Sequence, residues 1–327
     1  MIESKSSKVI LRSVTPGLLS ARVRECLEIC RWEELVGRDA NVVIKPNLCI
    51  AIPDKVTMSN TDPALTAAVC DVLLTRTKRI RIVEADHLRQ TADQAFAASG
   101  YVELAARLGV ELVNLSTAPR ARVACDPAGE IELPQMLLDA DVLITLPVLK
   151  THALTYFTGA LKNQWGCIPQ YDRILLHRHL DPLLATLHRI LRPRVAVMDG
   201  IVGVEGRGPA NGKPRRLDVI LASRDAVALD AAAMRLVGLD PMRARHVVLA
   251  AEQGLGRMGA DQIELDGVWA RHATRFEPAI LDRAIAAMNY MSRYRWFVKG
   301  LLERNYIFYP TRAFVGLLRR VGMVEGG

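Results

Sequence analysis

The chain is poor in aromatic residues, which make up 5% of its 327 positions, and it contains no long uncharged apolar run. A helix that crosses a bilayer needs about 18 or more such residues in succession, so no spanning helix is expected. The opening "MIESKSSKVILRS" lacks a basic segment followed by a long apolar stretch, so a secretory signal is not expected and the default location is the cytoplasm. Six cysteines (Cys26, Cys30, Cys49, Cys70, Cys125, Cys167) are scattered with no C-x-x-C pair. They offer no zinc set and no intrinsic iron–sulfur motif, and all six are expected to be free thiols, with Cys26 and Cys30 one helical turn apart in the core. There is no G-x-S-x-G elbow, no phosphate-binding G-x-x-x-x-G-K-[ST], no G-x-G-x-x-G opening a helix, and no cysteine in a familiar nucleophile context.

Half of the residues are hydrophobic and 24% are charged, the balance of an ordinary globular protein with ample length for a core. Apolar β-branched runs at 8–14, 41–47, 79–85, 110–115, 141–149, 194–200 and 217–223 alternate with helical patterns. That alternation predicts an α/β fold: a mostly parallel sheet with helices on both faces, its ligand site beyond the carboxyl ends of the strands. Polar residues collect at those ends. "VVIKPN" finishes in Lys45 and Asn47, "RIVEADH" in Glu84, Asp86 and His87, "LITLPVLKTH" in Lys150 and His152, "VAVMDG" in Asp199, and "VILASRD" in Asp225. A buried strand is a poor place for an ammonium or imidazole group, so these five ends are expected to bring charge to one rim.

The stretch "KTHALTYFTGALKN" concentrates Lys150, His152, Thr158, Lys162 and Asn163. Two lysines at one mouth repel unless an anion lies between them, which suggests a carboxylate or phosphate site with His152 as acid or base near neutrality. The plain alternative is solvated loop lysines and a histidine bonded to backbone. In "DGIVGVEGRGPANG", Gly206 and Gly208 belong to a loop able to approach a ligand closely, and Asp199 and Glu205 are candidate ligands for a hard divalent cation. A tight turn with a surface glutamate explains the same residues. Asp225 suits a helix N-cap, whereas Asp230 lies on an alanine-rich helix and needs a partner such as Lys45, Lys150 or Lys162. His177 and His179 lack companions for a metal site.

Taken together, "VVIKPNL", "LITLPVLKTHALTYFTGALKNQWGCIP", "VAVMDGIVGVEGRGPANGKP" and "VILASRDAVALDAAAMRLVGLDP" resemble the DUF362 family over roughly residues 38–260. The resemblance implies that Lys45, Asn47, Lys150, His152, Thr158, Gly159, Lys162, Asn163, Asp199, Glu205, Gly206, Gly208, Asp225 and Asp230 form one site. It supplies no reaction. Some relatives carry ferredoxin-like modules, so redox chemistry here would need an external electron donor.

The net charge of +8 is uneven: ten Lys/Arg against four Asp/Glu lie from Arg271 onward, against 33 and 31 before it. The division expected is an α/β domain over 1–270 and a basic, aromatic helical extension over 271–327. In "TRAFVGLLRRV", Ala313, Phe314, Leu317, Leu318 and Val321 share one helical face, with Arg312, Arg319 and Arg320 elsewhere. This suits a helix packed on the body, an interfacial membrane helix or a docking surface for a protein, and disfavours nucleic acid. The leading expectation is an enzyme acting on a small anionic or carbonyl-bearing metabolite: Lys45, Lys150 and Lys162 bind the anion, His152 moves a proton, and Asp199 and Glu205 hold a divalent metal or orient the lysines. The rival is a non-enzymatic scaffold, peripheral at a membrane or docked to a partner through its tail.

Overall fold

The apolar runs form strands whose side chains alternate between two cores, as a two-residue period requires. In β2 (Val42–Pro46), Val42 and Ile44 enter one core and Val43 the opposite one. β1 (Ser7–Ser13) does the same with Ile10 against Val9 and Leu11. The computed structural model that shows this describes residues 6–15, 17–52, 58–88, 90–209, 212–281 and 283–302. One face is covered by α1 (Leu19–Ile29), through Val23, Cys26 and Leu27, and by α2 (Pro63–Leu73), through Leu65 and Val69. Two short helices, α3 (Ala92–Ala98) and α4 (Tyr101–Leu108), add Phe96 and Leu104 to the same core. The sheet is buried on both sides, which is why its strands read as continuous apolar runs.

Six further strands complete the row of eight along a ten-stranded sheet: β3 (Ile80–Glu84), β4 (Glu111–Asn114), then β7 (Val142–Leu146), β10 (Val195–Glu205), β11 (Lys213–Ser223) and β12 (Ile263–Asp266), while β5 (Arg120–Ala124) and β6 (Glu130–Pro134) form a separate hairpin. The order is β12-β1-β11-β10-β7-β2-β3-β4. Every neighbouring pair is parallel except those of β11, which runs antiparallel to both β1 and β10. From β2 the chain builds outward through β3 and β4; from β7 it builds the other way to β10. The order reverses between β2 and β7, and a crevice opens beyond the carboxyl ends at such a switch point.

Three departures from the sequence expectation matter for the site. First, the run at 141–149 is two strands. Pro147 separates β7 from β8 (Val148–His152), which pairs with β10 and with the short β9 (Tyr156–Phe157). Lys150 and His152 thus sit inside a buried strand rather than past its end. Second, β10 runs on to Glu205 and returns as β11, so most of the expected glycine-rich loop is a bulged hairpin. Third, because β11 is antiparallel, its end at Ser223 lies opposite Ala196 at the start of β10, and Asp225 stands at the other rim of the sheet. Three of the five polar segments, those of Lys45, Glu84 and Lys150, meet through hydrogen bonds; Asp225 lies at the opposite rim.

α5 (Gly159–Asn163) follows β9, and α6 (Leu180–Leu191) and α7 (Ala226–Leu236) cover the second face. Residues just past the expected boundary at 270 are tied to this body: Phe276 is buried, Thr274 N donates to Leu236 O, and Glu277 N donates to Glu205 Oε2 at 3.0 Å. α8 (Arg283–Met291) then crosses toward the crevice. The amphipathic pattern expected at 312–321 lies outside the described residues. Among those described, no helix is long and apolar enough to cross a membrane.

Candidate functional site

Lys45 is the penultimate residue of β2 and Glu84 the last of β3, the neighbouring parallel strand, so two long side chains of opposite charge meet at the rim. Lys45 Nζ donates to Glu84 Oε2 at 2.8 Å and to Pro46 O at 2.6 Å, and the pair is 1% and 6% exposed. Glu84 also accepts from Leu48 N and Ala85 N. A buried ion pair is sustained by further hydrogen bonds, here two from backbone amides to the Glu84 carboxylate and a second from the Lys45 ammonium. Asn163 ties the neighbouring strands together: its Nδ2 donates to Lys45 O at 3.0 Å and to Thr145 Oγ1 at 2.8 Å, and its Oδ1 accepts from Asn47 Nδ2 at 3.0 Å. Asn47 Oδ1 accepts from Lys150 Nζ at 2.7 Å. Lys45, Asn47, Lys150 and Asn163, distant in sequence, form one continuous network.

Above this network lies a cavity of about 330 Å³ whose lining includes Lys45, Asn47, Cys49, Glu84, Lys162, Trp165, Arg173 and His177. Lys162 is half-buried in its wall, with its ammonium 5.6 Å from the centre of the Trp165 ring. Among the described residues it makes no hydrogen bond or ion pair. Burial, helped by the nearby charges of Arg173, Lys150 and Lys45, pushes Lys162 down to about 7. Arg173 Nη1 donates to the carbonyls of Asp86, Ile168 and Gln170, leaving Nε and Nη2 without hydrogen-bond partners among the described residues. His177 packs on Trp165 at 5.3 Å, and burial holds it down near 3, so it stays neutral. Its Nδ1 lies 3.2 Å from Asn289 Oδ1, a carbonyl oxygen, so Nδ1 bears the hydrogen and Nε2 keeps a lone pair. Asn289 and the cavity-lining Met288 both belong to α8. With Lys45 and Glu84 neutralising each other, the cavity carries unbalanced positive charge from Lys162 and Arg173.

Gly166 approaches the ion pair so closely that any side chain would strike it. A Cβ there would fall 2.8 Å from Glu84 Oε1 and 2.9 Å from Lys45 Nζ. Gly166→Ala should therefore lower the melting temperature, because the pair must separate or shift; an unchanged melt would show that the rim yields freely.

Other expected site residues lie elsewhere. His152 does not line the cavity, and its Nδ1 accepts from Leu154 N and Thr155 N at 3.1 and 3.2 Å. Burial, with Lys162 next, drives it well below the usual histidine range, so it is neutral rather than an acid or base near pH 7. Asp199 accepts from Asp62 N and Ile201 N, and burial raises it to about 6. Glu205 accepts from Glu277 N and lies 3.7 Å from Arg215. The two carboxylates are six residues apart along β10, about 20 Å at the rise of a strand, too far to share one cation. No cluster of three or more His, Cys, Asp or Glu among the described residues could hold a metal. Gly206 N donates to Glu277 O, and Gly208 packs on the backbone of Thr151, so neither faces the cavity.

Thr158 does not cap α5, and its Oγ1 is buried with no partner among the described residues. Asp230 takes that place. Its two oxygens accept from Ala160 N at 2.6 Å and Leu161 N at 3.0 Å, and burial raises it to about 7. Gly159 is required there: its φ is +56°, and a Cβ would stand 2.3 Å from Asp230 Oδ1. Asp230 thus partners backbone amides rather than a lysine. Asp225 caps α7 through Ala228 N and also accepts from Ser7 Oγ and Arg257 N, a structural role at the far rim.

Glu84, Arg173, Trp165 and Cys49 line the cavity without standing out in the sequence as site residues. Glu84 carried a signal, as the last residue of a buried strand beside the Lys45 strand. Arg173 and Trp165 carried none, since short 3-10 helices with no amphipathic pattern to read bring them to the crevice. Cys49 looked like any scattered thiol, yet the other five cysteines are buried while it lines the cavity.

Known proteins resemble this chain to different extents. A solved structure of the lactate racemase apoprotein from Thermoanaerobacterium thermosaccharolyticum is similar at 15% identity with a TM-score of 0.44, over 68% of this chain and 57% of that one. The thylakoid-associated protein sll1697 of Synechocystis sp. is 32% identical over 165 residues, 48% of this chain and 50% of the relative. The chain thus spans about half the length of that curated relative. The model of the domain of unknown function DUF362 matches residues 42–235, which run from the first residue of β2 to the penultimate residue of α7 and hold the Lys45–Glu84 pair, Asn163 and Lys162. The chain belongs to the DUF362 family.

Proposed function

We propose that the protein is an enzyme acting on a small carboxylate-bearing metabolite, bound in the cavity at the switch point between β2 and β7. The observation that supports this best is Lys162, a half-buried amine with no hydrogen bond or ion pair among the described residues, sharing the cavity with Arg173. A planar guanidinium with free donors is suited to a carboxylate, and an amine titrating near neutrality can give or take a proton during turnover. Lys45 and Lys150 contribute through structure, the first by pairing with Glu84 and the second by holding Asn47. Trp165 and neutral His177 supply an apolar wall that keeps water from screening the charges. A melting-temperature screen of the full chain with acetate, pyruvate, malonate and inorganic phosphate tests this reading. Small carboxylates should raise the melting temperature of the wild type and not that of Arg173→Met; a response confined to phosphate would contradict the assignment.

A second reading concerns the segment beside the cavity mouth. Residues 283–302 hold four Lys/Arg and no Asp/Glu, and Tyr290, Tyr294 and Trp296 are exposed, Trp296 at 66%. Basic residues interleaved with exposed aromatics suit an anionic bilayer surface. The cyanobacterial relative, named as thylakoid-associated, points the same way. Sedimentation with phosphatidylserine vesicles should fall severalfold for Trp296→Ala combined with Arg295→Ala; equal pelleting would remove this reading.

A further inference from the structure

Lys150 is fully buried, and its ammonium donates to three acceptors: Asn47 Oδ1 at 2.7 Å, Ser59 O at 2.7 Å and Cys49 Sγ at 3.2 Å. None of these is a carboxylate, and Lys150 has no ion pair among the described residues. A buried cation without a counter-charge is costly, and the one partner able to become an anion is the sulfur. Sγ also lies 3.5 Å from Ser59 O, where a thiol hydrogen would point. One proton can lie on sulfur, giving a neutral thiol and amine, or on Nζ, giving a thiolate and an ammonium; both leave the buried site without net charge, and only the second places a nucleophile at the cavity. The other cysteines contrast with this arrangement: Cys26, Cys30, Cys70 and Cys167 are pushed up to about 12 by burial, and none of them lines the cavity.

We propose that Cys49 is a thiolate nucleophile, held by Lys150 at the edge of the cavity, and that it adds reversibly to the carbonyl carbon of a small 2-oxo carboxylate. This rests on the carboxylate reading of the cavity and narrows it. In the step, the sulfur lone pair forms a C–S bond while the C=O π pair moves to oxygen. That oxygen takes a proton from the Lys162 ammonium, which lines the same cavity. The product is a neutral-oxygen thiohemiketal and a neutral amine, and the reverse step restores both groups without an oxidant or reductant. Arg173 holds the substrate carboxylate. A thiolate beside fixed cations is the form in which a cysteine attacks a carbonyl.

The test is carboxamidomethylation of the folded full chain by iodoacetamide, read peptide by peptide by mass spectrometry. At about pH 6.5, Cys49 should react at least about tenfold faster than glutathione, whose thiol is mostly protonated there. Asn47→Asp, which gives Lys150 a carboxylate in place of a neutral carbonyl, should slow it about tenfold, as should Lys150→Met if that chain folds. A wild-type rate no faster than glutathione, or one unchanged in Asn47→Asp, overturns the thiolate. For the covalent step, [2-¹³C]pyruvate should give a tetrahedral-carbon resonance with wild type and none with Cys49→Ser. Calorimetric binding of pyruvate without that resonance overturns the adduct and leaves the anion site standing; absence of both removes the reading on which the adduct rests.

Discussion

Replacing Glu84 by Gln is expected to cost about 3–5 kcal/mol of stability, the range for breaking a buried ion pair by removing one partner. Lys45 is 1% exposed, and Pro46 O is its only other acceptor among the described residues, so loss of the carboxylate leaves an ammonium with no counter-charge and little access to water. The carboxamide oxygen of the Glu84→Gln chain can still accept from one backbone amide, which separates the charge effect from simple loss of a hydrogen bond. Lys45→Met combined with Glu84→Gln removes both charges and should recover part of the loss, because the desolvation of two ions disappears with their attraction. Urea denaturation of the four chains closes the cycle. A single-variant loss below about 1 kcal/mol would place the pair in the weak class of exposed bridges.

The second large effect is on Lys162, and its sign depends on pH. Its folded value of about 7 lies below the roughly 10.4 of an unfolded lysine. Between these values the unfolded chain binds more protons, so this residue makes the wild type more stable as pH rises through the window. Below about 7 the folded chain must hold the charge in the cavity wall, and the penalty is fully present. Lys162→Met should therefore be more stable than wild type near pH 6, with the advantage shrinking toward pH 10, while losing carboxylate binding. A stability difference independent of pH would show that the ammonium is not destabilised by its place in the cavity. A residue that weakens the fold where its charge is needed for a ligand is the usual mark of a functional group.

Much of the fold is legible in the residue pattern alone. The seven apolar β-branched runs are strands, and the parallel order follows from the helices between them. Lys45, Asn47, Lys162 and Asn163 meet because the end of β2 and the short helix α5 after β9 converge on the switch point. What the pattern could not show was direction and pairing. β11 reads like its neighbours, and only hydrogen-bond register reveals that it runs backward and carries Asp225 to the far rim. Pro147 breaks an apolar run without ending the sheet, so Lys150 and His152 are buried strand residues whose partners are an amide oxygen, a carbonyl, a cysteine sulfur and two backbone amides. Asp199 and Glu205 looked like a pair because they share a segment, yet an extended strand holds them apart. Arg173 opens a short 3-10 helix, too brief for a periodic pattern to mark it.

In the proposed function Lys162 and Arg173 together clasp a carboxylate. Titration calorimetry of the full chain with pyruvate tests it most directly, for wild type, Lys162→Met and Arg173→Met on both sides of pH 7. The expected result is wild-type binding that weakens as pH rises through about 7, where Lys162 loses its proton, and a loss of at least about tenfold in each variant. Binding of equal strength in all three proteins, or wild-type binding that strengthens with pH, would contradict it.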